Sequence, residues 1–575
     1  MKKNNETSAD KLVIYQVFPR LFTNTNDACV HGGTLEQNGC GKMNDITLKV
    51  LKSIRNLGVN AMWYTGIVEH ASQTAYPEQG IEADDSHVVK GKAGSPYAIR
   101  DYYDVDPDIA VNVANRRKEF KALVDRTHKV GMKVLIDFVP NHTARRYHSD
   151  SAPSGVRDFG DGDDTTKFFA PDNNYYYLTS QRFCPRFDVG AYNEFPAKAT
   201  GNDCFTAFPG EYDWYETVKL NYGHDYGDNS DHFDPIPDTW LKMLSILRYW
   251  ASQGIDGFRC DMVFMVPLAF WHWAIGEVKK DYPDMLFIGE IYDVGLYRPF
   301  LDYGRFDFLY DKVNLYDTLR GIQSGNVSAA RLTGCWQTVD GIGDKMLNFL
   351  ENHDEVRFGS AEYAGNPALV LPSLVVSSMI NSGPIMIYYG QELGESAVDN
   401  EGFAGNNNRT TIFDYWSLGT LRRWYADGKA DGSALTEKER WLRAMYAKVL
   451  NLCNSEKAIS SGKFFDLMYV NLQNPTLDPH RQFVFLRNYE DETLVIAVNF
   501  ADRDARLQVN IPDAAFDYCS LPQGEANCKE LLSDVKDKKS LMRGEALAIA
   551  VPAHGACVWK LRHEDFKLAP LKNNI

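Results

Sequence analysis

Eight short apolar runs alternate with helical segments through the first three quarters of the chain. These runs lie at 13–18, 61–65, 133–139, 257–262, 286–291, 306–311, 347–353 and 385–390. Helical patterns lie between most of them and end near a glycine, as helix C-termini often do. Because near-continuous apolar strands that alternate with helices predict a parallel sheet covered on both faces, eight such units indicate a closed (β/α)8 TIM barrel.

Two further regions depart from this alternation. The predicted barrel covers 1–142 and 235–455, and the intervening segment 143–234 is rich in glycine, aspartate, asparagine and aromatic residues. It keeps no helical period, so we expect an irregular insertion domain after strand 3, and a loop of this length is usually functional. In 456–575, short runs with period-two alternation are separated by turn residues, which predicts a C-terminal antiparallel β-sandwich.

Charge and hydropathy exclude several classes of partner. The 575 residues carry a formal charge of −16, which argues against nucleic acid and anionic membrane surfaces as partners. No apolar run approaches the roughly 20 residues of a membrane span.

The first residues, "MKKNNETSADK", have no apolar centre. We therefore expect a cytoplasmic protein, or a periplasmic or secreted one if a signal peptide has been removed. The oligomeric state stays open.

The cysteines favour isolated thiols over a metal centre. Ten cysteines are spread along the chain without a CxxC pair or a cluster with histidine, so no zinc site is predicted. In an oxidising compartment three pairs could form, namely Cys29 with Cys40, Cys184 with Cys204, and Cys519 with Cys528.

Polar residues collect where the predicted strands end. They are Asp137, Asn141 and His142 after strand three, Arg259 and Asp261 on strand four, Glu290 after strand five, and His353 and Asp354 after strand seven. In barrels of this kind the reactive groups lie at the C-terminal ends of the strands. Alternation along the strand puts Arg259 and Asp261 on one face, which we take as the lumen, and Cys260 on the other.

Two carboxyl groups beside an apolar lumen suit the cleavage of a glycosidic bond. One carboxylate stays ionised and attacks the sugar, while the other is protonated and gives its proton to the leaving oxygen. Arg259 is placed to keep Asp261 ionised, because a neighbouring positive charge lowers the pKa of a carboxyl. A single such carboxylate would equally fit a structural ion pair, but three at the ends of strands four, five and seven, together with an arginine and two histidines, favour a catalytic site.

Four of these segments together resemble a known family. "DFVPNH", "GFRCDM", "FIGEIY" and "FLENHD" look like the four signature regions of the alpha-amylase family, glycoside hydrolase family thirteen. They stand in the family's order within the predicted strands. The resemblance extends over essentially the whole chain, and "SPYAIRDYYDVDP" is similar to the family's tyrosine-bearing loop.

The resemblance implies a role for each matching residue. It implies that Asp261 is the nucleophile, that Glu290 is the general acid and then the base, and that Asp354 is the third carboxylate. Asp261 and Glu290 are then expected about 5–5.5 Å apart. Further residues are expected to bind substrate or support these groups: Tyr97, His142, Arg259, His353 and, on the non-reducing side, Arg409.

The activity that the resemblance implies is retaining hydrolysis of α-1,4-glucosidic bonds in starch, glycogen or maltooligosaccharides. The alternatives are a transglycosidase, or an α-1,6- or oligosaccharide-specific α-glucosidase of the same family. A non-catalytic carbohydrate-binding relative is disfavoured, because Asp261, Glu290 and Asp354 are all present.

The resemblance also raises the question of calcium, while no organic cofactor is expected. The family's calcium is often held by the asparagine of the first region, here Asn141, and a second candidate is the turn containing Asn24 and Asn26.

The chain departs from the family's sequence pattern at two places. Lys219 takes the place of an aspartate in the insertion domain, and Phe264 and Met265 replace a lysine–histidine pair that binds substrate beyond the cut.

Overall fold

The predicted barrel is present. The computed structural model describes residues 11–399, 401–403 and 405–568. Eight parallel strands close on themselves: β1 (Val13–Val17), β2 (Ala61–Tyr64), β3 (Lys133–Phe138), β4 (Gly257–Cys260), β5 (Leu286–Gly289), β6 (Phe308–Tyr310), β7 (Met346–Phe349) and β8 (Ile385–Tyr388). Each strand lies within or overlaps one of the eight apolar runs. Nearly all of their residues are buried, as expected of strands covered on both faces.

The register of the strands sets the level at which side chains meet in the lumen. Arg259 of β4 lies opposite Asp137 of β3 and Ile288 of β5. The Arg259 side chain reaches Asp137 and the Tyr310 hydroxyl of β6, so it points into the lumen, as the alternation predicted. Cys260, one residue further, is fully buried.

Helices cover the outside of the barrel. The longer ones are Leu48–Arg55, Arg116–Lys129, Asp238–Ser252, Leu268–Asp281, Asp317–Gln323, Arg331–Thr338, Leu371–Met379, Gly419–Tyr425 and Glu437–Ser455. Short helices span Pro19–Phe22, Leu35–Asn38, Tyr297–Asp302, Lys457–Ser460 and Asp513–Tyr518. The helix starting at Glu437 begins with a capping box, in which Thr436 and Glu439 each bond the other's backbone N–H.

The segment between β3 and β4 is irregular, as predicted, and contains no α-helix before Asp238. Three short antiparallel ladders organise it: His142–Ala144 with Thr217–Lys219, Tyr177–Leu178 with Ala197–Lys198, and His224–Asp225 with Ser230–Asp231. The first ladder ties the insertion to the residues directly after β3. A further antiparallel pair, Val68–His70 with Ile99–Val105, follows β2.

The C-terminal region is mainly β and antiparallel, as predicted. Its larger sheet contains Lys463–Asp466, Gln482–Tyr489, Glu492–Asn499, Gly555–Arg562, Gly524–Glu530, Lys536–Leu541 and Phe566–Leu568. A smaller sheet pairs Ala505–Asn510 with Ala546–Val551. The buried Arg487 links this region to the barrel, because its guanidinium donates to the carbonyls of Ala458 and Ile459 and to the Ser382 hydroxyl.

Two expectations about the chain as a whole can be compared with the structure. All ten cysteines are described, and none is in a disulfide. Among the described residues, no helix has both the length and the apolar character that crossing a bilayer requires.

Candidate active site

The three predicted carboxylates line one cavity at the C-terminal end of the barrel. The cavity has a volume of about 370 Å³ and contains Asp261, Glu290 and Asp354. The substrate-binding residues predicted from the sequence also line it, namely Tyr97, His142, His353 and Arg409. Arg259 lies beneath them with 1% of its surface exposed. The structure therefore brings every predicted catalytic and sugar-binding residue into one place.

Arg259 joins two of the carboxylates. Its Nη1 lies 2.7 Å from Asp261 Oδ1, and its Nη2 lies 2.7 Å from Glu290 Oε2. Asp137 Oδ1 is 3.4 Å from the same Nη1. One guanidinium thus contacts three buried carboxyl groups. Its fixed fork of N–H donors holds Asp261 and Glu290 in a defined relative orientation.

The backbone after β4 also positions Glu290. Met262 adopts a left-handed conformation, with φ of 42°, directly after Asp261. This conformation costs a non-glycine residue about 1–2 kcal/mol. It allows the Met262 N–H to donate to Glu290 Oε2 at 3.0 Å, while the Tyr292 hydroxyl donates to Oε1 at 2.5 Å. The two oxygens of Glu290 therefore have different environments.

The surroundings shift the pKa values of two cavity carboxyl groups in opposite directions. Burial raises the pKa of Asp261 well above its ordinary value, and the negative neighbours Glu290 and Asp354 add to this rise, while Arg259 opposes it. Enclosure also disfavours the charged form of Asp354, but His353, Arg259 and Arg409 outweigh it and lower the pKa of Asp354 to about 2. Positive neighbours therefore favour the ionised form of Asp354, whereas burial and negative neighbours disfavour charge on Asp261 despite its contact with Arg259.

The histidines are fixed by their neighbours. The Gln16 side-chain amide lies 2.9 Å from His353 Nδ1, and His353 Nε2 lies 3.0 Å from Asp354 Oδ2. With the amide donating, Nδ1 is the acceptor, so Nε2 carries the hydrogen that faces Asp354. Tyr97 stacks on the His353 ring at 5.0 Å, and its hydroxyl donates to Asp137.

His142 is neutral over the physiological pH range. Burial and the nearby positive charge of Lys219 lower its pKa to about 3. Its ring packs against Trp214 of the insertion domain at a centroid distance of 5.4 Å. His142 can therefore donate or accept hydrogen bonds without carrying charge.

Several cavity residues were not predicted from the sequence. They include Lys90, Trp214, Glu216, Tyr292, Lys312 and Glu355. Tyr292 stands two residues after Glu290, so strand alternation could have pointed to it. Trp214 lies in an insertion whose path the sequence does not define, and no local signal separates Lys312 from other surface lysines.

Comparisons with known proteins identify the family of this chain. The family model described as "Alpha amylase, catalytic domain" matches residues 16–461. The model described as "Alpha amylase, C-terminal all-beta domain" matches residues 476–562. The chain belongs to the alpha-amylase family. The match covers the barrel, the insertion and most of the C-terminal sheets.

Individual members of the alpha-amylase family are more distant. An alpha-amylase of Streptomyces lividans is 28% identical over 390 residues, which cover 62% of this chain and 40% of that protein. Neopullulanase 2 of Thermoactinomyces vulgaris is 22% identical, covering 74% and 66% of the two chains. The chain thus spans less than two thirds of either relative. The crystal structure of a maltogenic alpha-amylase from Thermotoga neapolitana superposes with a TM-score of 0.63 at 19% identity, covering 96% of this chain and 99% of that one.

Members of the alpha-amylase family often bind calcium, but the residues around Asn141 do not fit this ion. The ammonium group of Lys219 occupies the position among the oxygens, donating to Asn141 Oδ1 and, at 3.0 Å, to the carbonyl of Met265. Asp203 Oδ1 lies 2.6 Å from the same nitrogen. The expectation that Asn141 binds calcium therefore has no support here, because a covalently attached cation already holds these oxygens.

The side-chain oxygens at the second predicted calcium position already accept hydrogen bonds from the backbone. Asn24 Oδ1 accepts the N–H of Asn26, and Asn26 Oδ1 accepts that of Ala28, so both oxygens stabilise the turn. Elsewhere in the described residues, the buried carboxylates of Glu69, Asp101 and Asp104 lie within 4.8 Å of one another. Arg116 already pairs with Asp104 at 2.7 Å, and these acids do not line the active-site cavity.

We predict that Lys219 takes over the structural role of a metal. Lys219→Met should lower the free energy of unfolding by about 3 kcal/mol, because Asn141 and Asp203 lose their buried cation. Thermal unfolding of both proteins, with EDTA and with calcium, measures this. Wild-type protein should keep its melting temperature and activity in EDTA.

A charge-reversing variant provides the matched comparison. Lys219→Asp places an acid beside Asn141 Oδ1, Asp203 and the Met265 carbonyl, which is an oxygen set that calcium prefers. Calcium should raise the melting temperature of this variant. A hundredfold excess of calcium over its Kd raises the free energy of unfolding by about 2.7 kcal/mol. Wild-type activity that EDTA abolishes and calcium restores would contradict the assignment.

Proposed function

We propose that this protein is a retaining α-glucan hydrolase that cleaves α-1,4-glucosidic bonds by double displacement. The observation that carries the proposal is the pairing of Asp261 and Glu290 on the single guanidinium of Arg259, inside the cavity that Asp354 also lines. Two carboxyls held this way face one substrate. Retaining enzymes need such a pair close together, at about 5–5.5 Å.

The first step transfers the sugar to the protein. Glu290 gives its proton to the glycosidic oxygen as the C1–oxygen bond breaks, and an oxygen of ionised Asp261 bonds to C1. Burial and the neighbouring carboxylates raise the pKa of Asp261, and Arg259 opposes this rise. The reaction uses the state in which Asp261 is ionised and Glu290 carries a proton. Arg259 then offsets the charge on Asp261.

The second step releases the sugar to water. Glu290, now ionised, removes a proton from water as the water oxygen bonds to C1 and the ester to Asp261 breaks. Two displacements at C1 restore the original configuration. The same intermediate would pass to a sugar hydroxyl in a transglycosidase, so the ratio of the two outcomes depends on what occupies the leaving-group side.

The remaining cavity residues fit the binding of the sugar before the cut. Ionised Asp354 can accept two sugar hydroxyls, and its orientation is supported by His353. Neutral His142 supplies a further hydrogen bond, and Tyr97 offers an aromatic face, which suits the apolar side of a pyranose ring. Arg409 lines the same cavity.

A time course of products tests the proposal. Maltoheptaose and amylose should yield shorter maltooligosaccharides, and proton NMR at early times should show the α-anomer at the new reducing end. Initial release of the β-anomer would exclude double displacement at Asp261.

Parallel reactions with pullulan, isomaltose and maltose address the choice of bond. We expect faster turnover of maltoheptaose than of all three. Preferential cleavage of isomaltose would instead assign the α-1,6 specificity, and longer products than substrate would assign transglycosylation.

A further inference from the structure

A second cavity lies on the outside of the barrel, between the helices Leu48–Arg55 and Glu437–Ser455 and the segment 430–435. It has a volume of about 520 Å³ and shares no lining residue with the active-site cavity. We call it the cationic cavity, because four cationic side chains line it: Lys49, Lys52, Arg440 and Arg443. We propose that the cationic cavity binds a small molecule that carries a phosphate monoester.

The positive charge of the cationic cavity is not balanced by the protein. Among the described residues that line it, Asp431 is the only acid. None of the four cations forms an ion pair with a described carboxylate. The whole chain has a formal charge of −16, so this local excess of positive charge runs against its composition. Clefts lined by one sign of charge concentrate ligands of the opposite sign.

Two helices supply the cations as pairs. Lys49 and Lys52 are three residues apart on the first helix, and Arg440 and Arg443 are three residues apart on the second. Side chains at this spacing lie on one face of a helix. Arg440 Nη1 also donates to the Leu435 carbonyl. The two pairs therefore reach the same space from different helices.

Arg443 is fixed between the two helices. Its Nη2 lies 3.1 Å from both the carbonyl and the hydroxyl of Ser53, and its guanidinium lies 5.7 Å from the centre of the Trp424 ring. Burial raises the pKa of Glu392 and Arg443 opposes this rise, but the Glu392 oxygens accept from the Tyr15 hydroxyl. The described residues accept no hydrogen bond from Arg443 Nε or Nη1, so these donors are left for a ligand.

Two further features of the lining favour a ligand that accepts hydrogen bonds. Trp424 is 1% exposed, and its Nε1 has no hydrogen-bond partner among the described residues. A buried N–H without an acceptor is costly. Asp431 Oδ1 already accepts the Ser433 N–H at 3.0 Å. The cationic cavity therefore has donors in excess, and phosphate oxygens are strong acceptors for them.

The charge and the size of the cationic cavity indicate the ligand. Four positive charges less the one negative charge of Asp431 leave a net charge of +3. A phosphate monoester carries about −1.5 to −2 charges at pH 7 and three acceptor oxygens, and the planar guanidinium matches phosphate geometry. The volume falls within the range of small-molecule sites, about 300–1,000 Å³. A neutral sugar would leave all of the positive charge unbalanced.

Isothermal titration calorimetry of the full chain, in phosphate-free buffer at constant ionic strength, tests the site. Glycerol 3-phosphate is the phosphate monoester, and glycerol is its neutral counterpart. Glycerol 3-phosphate should bind at one site per chain, and glycerol should give no saturable heat. Lys52→Met and Arg440→Met, both at exposed positions, should each weaken this binding about tenfold, because a hydrogen bond from a charged donor contributes about that factor.

Lys438→Met is the matched control. Lys438 is exposed on the same helix as Arg440 and does not line the cationic cavity, so the variant removes one positive charge elsewhere. It should bind glycerol 3-phosphate as wild type does. Equal weakening by Lys438→Met and Lys52→Met would assign the effect to net charge and overturn the site.

Two results with wild-type protein would also overturn the proposal. One is the absence of saturable heat with glycerol 3-phosphate. The other is binding of inorganic phosphate without binding of glycerol 3-phosphate, which would exclude the monoester. All three variants should turn over maltoheptaose as wild type does, because none of these residues lines the active-site cavity. The phosphate site and the proposed function can therefore fail independently.

Discussion

Asp261→Asn is expected to lower kcat on maltoheptaose by about 10⁴-fold or more, the scale on which enzymes lose activity without their nucleophile. Asparagine keeps the shape of the side chain but cannot supply the anionic oxygen that bonds to C1. No covalent intermediate can then form, and the reaction loses its first step rather than a binding contact.

The Asp261→Asn protein should remain folded. Arg259 keeps Glu290 at 2.7 Å and Asp137 at 3.4 Å as counter-charges. The guanidinium is therefore not left unpaired in the barrel, which would be the costly outcome. The melting temperature should change much less than the rate.

Reducing-sugar release and thermal unfolding measure the two properties. Asp307→Asn is the matched control, because Asp307 is an ion-paired carboxylate outside the cavity, 2.7 Å from Lys279. It should retain activity close to wild type. An Asp261→Asn preparation that turns over maltoheptaose at a wild-type rate, with contamination excluded by active-site titration, would remove Asp261 from the mechanism.

Glu290→Gln is expected to lower kcat/KM on maltoheptaose by about 10²–10⁴-fold, the usual contribution of a general acid. Glutamine can keep the contacts that Oε2 makes with Arg259 and the Met262 N–H, but it has no proton to give. The loss should therefore concern protonation of the leaving oxygen, not the position of the side chain.

Changing the substrate and the nucleophile tests this reading of Glu290. Fluoride leaves without protonation, so Glu290→Gln should form the glycosyl-enzyme from α-maltosyl fluoride at a rate near wild type. Water attack still lacks its base, and added azide should speed turnover by displacing Asp261 from C1 to give α-maltosyl azide. Absence of azide rescue, with equal losses on maltoheptaose and the fluoride, would exclude the acid–base role.

The pH dependence should follow the same logic. The Asp261–Glu290 pair must hold one proton, so wild-type kcat/KM on maltoheptaose should fall at high pH when that proton is lost and at low pH when a second binds. Because glycosyl-enzyme formation from α-maltosyl fluoride by Glu290→Gln needs no donated proton, its high-pH fall should be absent.

Much of the barrel could be predicted because its strands carry a strong local signal. The runs "KVLIDFV" and "IMIYYG" are mostly apolar, as expected of strands covered on both faces. Two strands of the C-terminal sheet carry a weaker local signal. Gly524–Glu530 buries only small or charged residues, and Lys536–Leu541 is lysine-rich, so their alternation lacks the large apolar side chains that would reveal it.

The contacts that make the surroundings of Asn141 a poor fit for calcium lie between segments. Lys219 was visible in the sequence as a departure from the family pattern, but its consequence was not. Its ammonium meets Asn141, Asp203 and the Met265 carbonyl only because the insertion folds back along the end of β3. A lysine at a strand position is otherwise indistinguishable from a solvated one.

By itself, the sequence determined the order of the barrel strands and the identity of the carboxylates at their ends, because both follow from local periodicity and from residues next to each other in the chain. Only the tertiary structure decided how those carboxylates are oriented and which cation holds the insertion to the barrel. These properties depend on contacts between segments far apart in sequence, and local patterns contain no information about the distances between them.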